Sequence, residues 1–283
     1  MDQRPRKNVI ARNVALAILV VVITQAIALA ITEINQPVLA QTGYSYAPAG
    51  TSSLGSAGNA LILVVFVFGT TIFALFLVRR NKVKLFRLLI FAVTLVAIFV
   101  LTLLTADIFL SGVVDEGTAT TLSLTLALIV GAILTVSTFV ARLASLRGIV
   151  TVLLSAEVGS YLASTIPLLT ALLIPVAFSF YDIYAVFKGP LKHLISLSPE
   201  NVGPISTRVG EFTIGVGDTV FYSMLPSLVF FHFNFNCALI TAFAVNAGVV
   251  VTLYALTKSR LLPGLPIPMG LGLLTLLLCA RLL

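Results

Sequence analysis

Nine stretches of this chain are apolar for about twenty residues each, the length a helix needs to cross a bilayer. They run roughly over 14–34, 59–78, 86–106, 119–141, 148–164, 167–188, 212–232, 236–257 and 263–282. What lies between them leaves no room for a separate soluble domain; the longest connections are 35–58, rich in Ser, Gly and Thr, and 189–211. With 59% hydrophobic and 10% charged residues among 283, most of the surface must face lipid. The expected fold class is all-α: a polytopic membrane protein with nine transmembrane helices. The first run is too long for a signal-peptide core and reads as a retained span.

The basic residues orient the spans. The N-terminal tail carries Arg4, Arg6, Lys7 and Arg12, and the connection after the second run carries Arg79, Arg80, Lys82, Lys84 and Arg87. Arg142 and Arg147 follow the fourth run, Lys188, Lys192 and Arg208 the sixth, and Lys258 and Arg260 the eighth. Every Lys and Arg except Arg281 therefore falls in alternate connections. Positive charge stays on the cytoplasmic side, so the N-terminus is expected in the cytoplasm and the C-terminus outside. The net charge of +7 is then a topology signal, with nucleic acid excluded as a partner. Cys237 and Cys279 sit in apolar surroundings and read as packing residues, without a disulfide framework or a metal-ligand spacing.

Two acids interrupt apolar runs. Asp182 lies six residues before Lys188 at the inner end of the sixth run, and Asp218 seven residues after Glu211 at the inner start of the seventh. At about 1.5 Å of rise per residue, both carboxyls sit roughly 9–11 Å inside the same face. Consecutive antiparallel helices usually pack as neighbours, so the two acids are expected to meet. Intramembrane acids are costly and mark sites. A pair at one depth serves an aspartic dyad, in which two close carboxyls share a proton, and it serves a proton- or cation-coupled transporter equally well. Gly215 and Gly217 flank Val216 just before Asp218 and leave room for a second backbone. They also loosen the helix start, so that 211–214 is expected to be extended and open to strand addition by a peptide. Pro263, Pro266 and Pro268 open the ninth run at the same inner face and break the helix there, which is tolerated only where the backbone lines a cavity or is buried in protein.

The segments "FYDIYAVFKGPLKHL" (180–194), "GVGDTVFYSML" (215–225) and "LPGLP" (262–266) resemble, in order and spacing, the three signatures of the presenilin family of intramembrane aspartyl proteases: YD, GxGD and PAL. The span count and the cytoplasmic N-terminus resemble that family too. The likeness is clear over about 167–270 and rests on topology alone over 1–145. It implies that Asp182 and Asp218 are the catalytic pair. Tyr181, Gly215, Val216, Gly217, Pro263, Gly264 and Leu265 would then lie along the substrate. In one departure, Pro-Gly-Leu stands where the family has Pro-Ala-Leu. In another, the loop after the sixth span is far shorter than in eukaryotic presenilins, which makes the chain look like a microbial, archaeal homologue acting as a single chain.

What the resemblance implies is an endopeptidase of the cell membrane that hydrolyses peptide bonds within transmembrane helices, with no metal, no cofactor and no obligate accessory subunit. Residues 1–166 are expected as a scaffold of five helices, and 167–283 as the catalytic helices with the cytoplasmic loop 189–211, all in one membrane domain. Glu157, midway along the fifth run, is expected to hydrogen-bond to Ser or Tyr within the bundle, and Asn246 to tie two helices together. His193 and His232 lie at opposite faces and cannot form one metal site.

Overall fold

A computed structural model describes residues 7–43, 45–80, 82–139, 144–188, 206–210, 212–258 and 262–282. Arg4, Arg6, Arg142, Lys192, His193, Glu211, Arg260 and most of the 189–211 loop lie outside the described residues. The order of elements is α1 (Lys7–Thr42), α2 (Ser53–Arg79), α3 (Val83–Ser111), α4 (Glu116–Phe139), α5 (Ala144–Thr165) and α6 (Leu168–Phe187). There follow β1 (Ser206–Val209), β2 (Phe212–Gly215), α7 (Val216–His232), α8 (Phe235–Leu256) and α9 (Pro266–Leu282).

Side-chain caps mark several helix starts. The Ser52 hydroxyl accepts the Gly55 N–H at the head of α2 (3.1 Å), and the Asn234 side chain accepts the Cys237 N–H at the head of α8 (2.8 Å). At the exposed head of α4, the Asp115 carboxylate takes the N–H and the hydroxyl of Thr118. Those hydrogen bonds, the backbone one foremost, hold its pKa below the ordinary carboxylate value.

Seven of the nine described helices are long and apolar enough to cross a bilayer. The other two, α7 and α9, have 17 residues each, about 25 Å of rise. Both are shorter than their apolar runs for the same reason: the chain is not helical at their N-terminal ends. The first four residues of the seventh run form β2, and the ninth run begins with a non-helical turn before Pro266. The all-α expectation is thus met except for a two-stranded hairpin. Its antiparallel register pairs Ser206 with Gly215 and Val209 with Phe212. Gly210 supplies the reversal at φ +60, a left-handed conformation that favours glycine. A Cβ there would strike the Asn13 side chain, so the hairpin sits against the N-terminal part of α1.

The core is built around α7, which is buried continuously from Thr219 to Val229. It packs against α1, α5, α8 and α9, while α3 and α4 pack mainly on each other at the periphery. Apolar burial contributes little between helices already in lipid, so close approach and buried hydrogen bonds decide the packing. Thr219, Ser223 and Ser227 recur at one-turn spacing along α7. The Thr219 hydroxyl pairs with that of Ser155 on α5 (2.7 Å), and the Ser223 hydroxyl donates to the Ser155 carbonyl (3.0 Å). Gly159, one turn along α5, closes the seam: a Cβ there would lie 2.9 Å from the Val220 carbonyl oxygen and would overlap the Ser223 hydroxyl.

Gly159→Ala is therefore expected to lower stability by about 1–3 kcal/mol, the usual range for overpacking a close contact. Reversible unfolding in detergent would measure it, and an unchanged midpoint would contradict this packing.

Candidate active site

Asp182 is carried on the last turn and a half of α6, and Asp218 on the first turn of α7. An aromatic pair sets the spacing of the two helices next to the acids. Phe178, one turn before Asp182, and Phe221, one turn into α7, lie with ring centroids 4.8 Å apart. The two carboxyls are partly buried and close enough to interact electrostatically. The expected approach of the two acids is what the packing produces.

The turn before α9 reaches both of them. The Leu265 N–H donates to Oδ2 of Asp182 at 3.0 Å, and the Gly264 N–H also interacts with that carboxyl. Gly264 lies against the other acid: a Cβ on it would stand 2.9 Å from Oδ2 and 3.2 Å from Cγ of Asp218. Here glycine is a matter of clearance, because even a methyl group would press on the carboxyl. Pro263 leads into this turn, and the Leu265 side chain is buried in the main core.

The other residues singled out in the sequence divide. Gly215 ends β2 and caps α7 in an extended conformation (φ −74, ψ 144), with its α-carbon side toward Asp218. Val216 opens α7, and the Val216 carbonyl accepts from Thr219 and Ser155. Gly217 is exposed, and a Cβ there would meet nothing within 4 Å. It borders open space. Tyr181 reaches toward α2. Its hydroxyl donates to Thr71 on α2 (3.2 Å), and its ring stands edge-on to Phe68 and Phe178.

Asn246 does link helices: its Nδ2 donates to Oε1 of Gln25 at 2.8 Å. Glu157 has a different surrounding from the expected one. It lines a cavity of about 240 Å³ among α3, α4 and α5, and the nearby Tyr161 hydroxyl pairs with Thr105 instead (3.4 Å). Among the described residues no cluster of His, Cys, Asp or Glu has the makings of a metal site.

Two solved structures of a presenilin family intramembrane aspartate protease superpose on this chain. One, in space group C222, aligns with a TM-score of 0.70 at 21% identity, over 95% of this chain and 99% of the other. The second, in space group P2, gives 0.65 at 22% identity over the whole of both chains. The chain has the presenilin fold. No family model and no curated protein matches the sequence, so the likeness is one of architecture, end to end.

Within this presenilin fold, one residue near the acids was not singled out in the sequence. The hydroxyl of Tyr222, one turn after Asp218, donates to the Gly264 carbonyl at 2.9 Å. The Tyr222 carbonyl accepts from Nε2 of Gln25 at 3.0 Å. Asn246, Gln25 and Tyr222 thus form a chain of contacts from α8 through α1 and α7 to the turn that touches both acids. The available signal was a tyrosine in mid-span, whose hydroxyl needs a partner when buried.

Tyr222→Phe removes one hydroxyl and leaves the Gly264 carbonyl without its donor. Amide exchange of Gly264 and Leu265, followed by mass spectrometry on peptides spanning 262–269, is expected to quicken about 5- to 30-fold, the equivalent of roughly 1–2 kcal/mol. Unchanged exchange would mean that the turn is held by other contacts.

Proposed function

We propose that the chain is an intramembrane aspartyl endopeptidase that hydrolyses peptide bonds within transmembrane helices of membrane proteins. The observation that carries this reading is the convergence of Asp182, Asp218 and the Gly264–Leu265 turn at one point, in a chain with the presenilin fold. Two adjacent carboxyls in a low dielectric hold one proton between them. The ionised carboxyl removes a proton from water as the oxygen attacks the scissile carbonyl carbon. The neutral carboxyl donates to the carbonyl oxygen, giving a gem-diol. Collapse of the diol breaks the C–N bond, with a proton passing to the leaving nitrogen, and the dyad returns to its starting charge.

A helical substrate hides its peptide carbonyls in its own hydrogen bonds, so the scissile segment must be unwound. β2 ends at Gly215, three residues before Asp218, and runs extended directly to the site. In this reading an unwound substrate pairs with an exposed edge of the hairpin, and the open space beside Gly217 accommodates its backbone. The proposed topology has nine spans, with α7 and α9 completing their crossings through the extended segments at their inner ends. The N-terminus is cytoplasmic and cleavage falls near the cytoplasmic side. Helices α1 to α5 act as scaffold and α6 to α9 carry the chemistry, in a single chain needing no metal, cofactor or accessory subunit.

A single-pass transmembrane substrate incubated with the protein in lipid vesicles is expected to be cut, with products sized by mass spectrometry. Asp182→Asn and Asp218→Asn should each reduce the rate by roughly 10²–10⁴-fold or more, the scale of acid–base catalysis. Gly264→Ala, which displaces the Asp218 carboxyl, should cost about 10- to 100-fold with little change in KM. Full activity in either asparagine variant would sink the shared-proton mechanism. No cleavage by the wild type, together with proton or cation flux, would replace the protease reading with a transporter.

A further inference from the structure

The only two cysteines in the chain stand far apart in sequence, on α8 and α9. The packing of these helices brings them together, as the contacts along their interface show. At the inner end, Gly248 of α8 lies against Pro268 of α9 so tightly that a Cβ on the glycine would sit 2.5 Å from the proline Cα. Seven residues outward on each helix, the Thr275 hydroxyl meets that of Thr241 at 3.3 Å. The helices are antiparallel, so one further turn outward places position 237 opposite position 279. The two thiols are close enough there to interact electrostatically.

We propose that Cys237 and Cys279 form a disulfide that staples the outer end of α8 to α9. A disulfide needs Cα atoms about 4.4–6.8 Å apart, with side chains directed at one another. Facing positions on closely packed antiparallel helices meet that need, and the Gly248 and threonine contacts give the close approach. Cys237 is the third residue of α8 and Cys279 lies in the last turn of α9. With the N-terminus in the cytoplasm, both are at the non-cytoplasmic face, where disulfides persist; the inference rests on that orientation.

The exposures of the two thiols order the steps. Cys237 is partly exposed and Cys279 is buried. The Cys237 thiolate attacks a sulfur of an external disulfide oxidant, forming a mixed disulfide and releasing one thiol of the oxidant. Cys279, having lost its proton, then attacks the Cys237 sulfur and releases the second thiol. The pair gives up two electrons and two protons, and the oxidant is reduced to two thiols. The staple ties the outer end of α9, whose inner end bears the turn beside the acids, to α8 in a fixed register.

The test uses the full chain in a bacterial inner membrane, whose outer face is oxidising. Membranes are denatured in excess N-ethylmaleimide to block free thiols, then reduced, and the newly freed thiols are tagged with a maleimide of high mass. Wild type is expected to gain two tags after reduction, and Cys237→Ser and Cys279→Ser none in the monomer. The purified oxidised wild type should unfold about 5 °C or more above the reduced form, and Cys279→Ser should show no such difference. Complete blocking of both wild-type thiols in the first step would overturn the proposal, as would identical melting of the oxidised and reduced forms. These measurements count thiols and stability without using cleavage, so their failure is distinct from failure of the protease reading.

Discussion

An unwound turn at membrane depth must direct its N–H and C=O groups at partners inside the protein, because lipid offers none. The turn before α9 does this by pointing the Leu265 N–H at Asp182 and the Gly264 carbonyl at the Tyr222 hydroxyl. One set of hydrogen bonds thereby satisfies the free backbone and places it against two carboxyls. The short α9, the clearance at Gly264 and the orientation of the α6 end and the α7 start all depend on that arrangement.

The demands on α7 follow. It must be rigid where it carries Asp218 and must present small groups to its neighbours. Thr219 and Ser223 bond to Ser155, and Gly159 lets the two backbones come close. The hydroxyls hold the seam without the bulk that would separate the helices, which is how packing is won where burial of apolar surface contributes little. On the opposite side Gln25 and Asn246 continue the hydrogen-bonded chain into α1 and α8. The side of the bundle away from this network, α3 and α4, has little polar contact with it.

Much of the architecture was legible in the chain because the bilayer enforces a simple code. Apolar run lengths mark the helices, and charge in alternate connections sets an expected orientation. The acids at 182 and 218 fall at matching depth from rise per residue alone, and the glycines before Asp218 announced an extended entry, now seen as β2. Run length could not show that α7 and α9 stop short of their runs, because extended and helical apolar segments have the same composition. Pro-Gly-Leu read as a loosened form of Pro-Ala-Leu, whereas the glycine stands where a methyl group would crowd Asp218. The hydrogen bond of Tyr181 to Thr71 on α2 was not legible, since direction around a helix is not fixed by adjacency in sequence.

The sequence by itself determined the membrane class, the helix succession, the expected sidedness and the candidate acids, since each depends on local composition or on position along one helix. Only the tertiary structure decided which distant residues touch: Tyr222 with Gly264, and Gln25 with Asn246. The physical reason is that these contacts follow from the rotation and register of packed helices. Rotation and register are set by small residues and buried hydrogen bonds between helices, and no single segment carries that information.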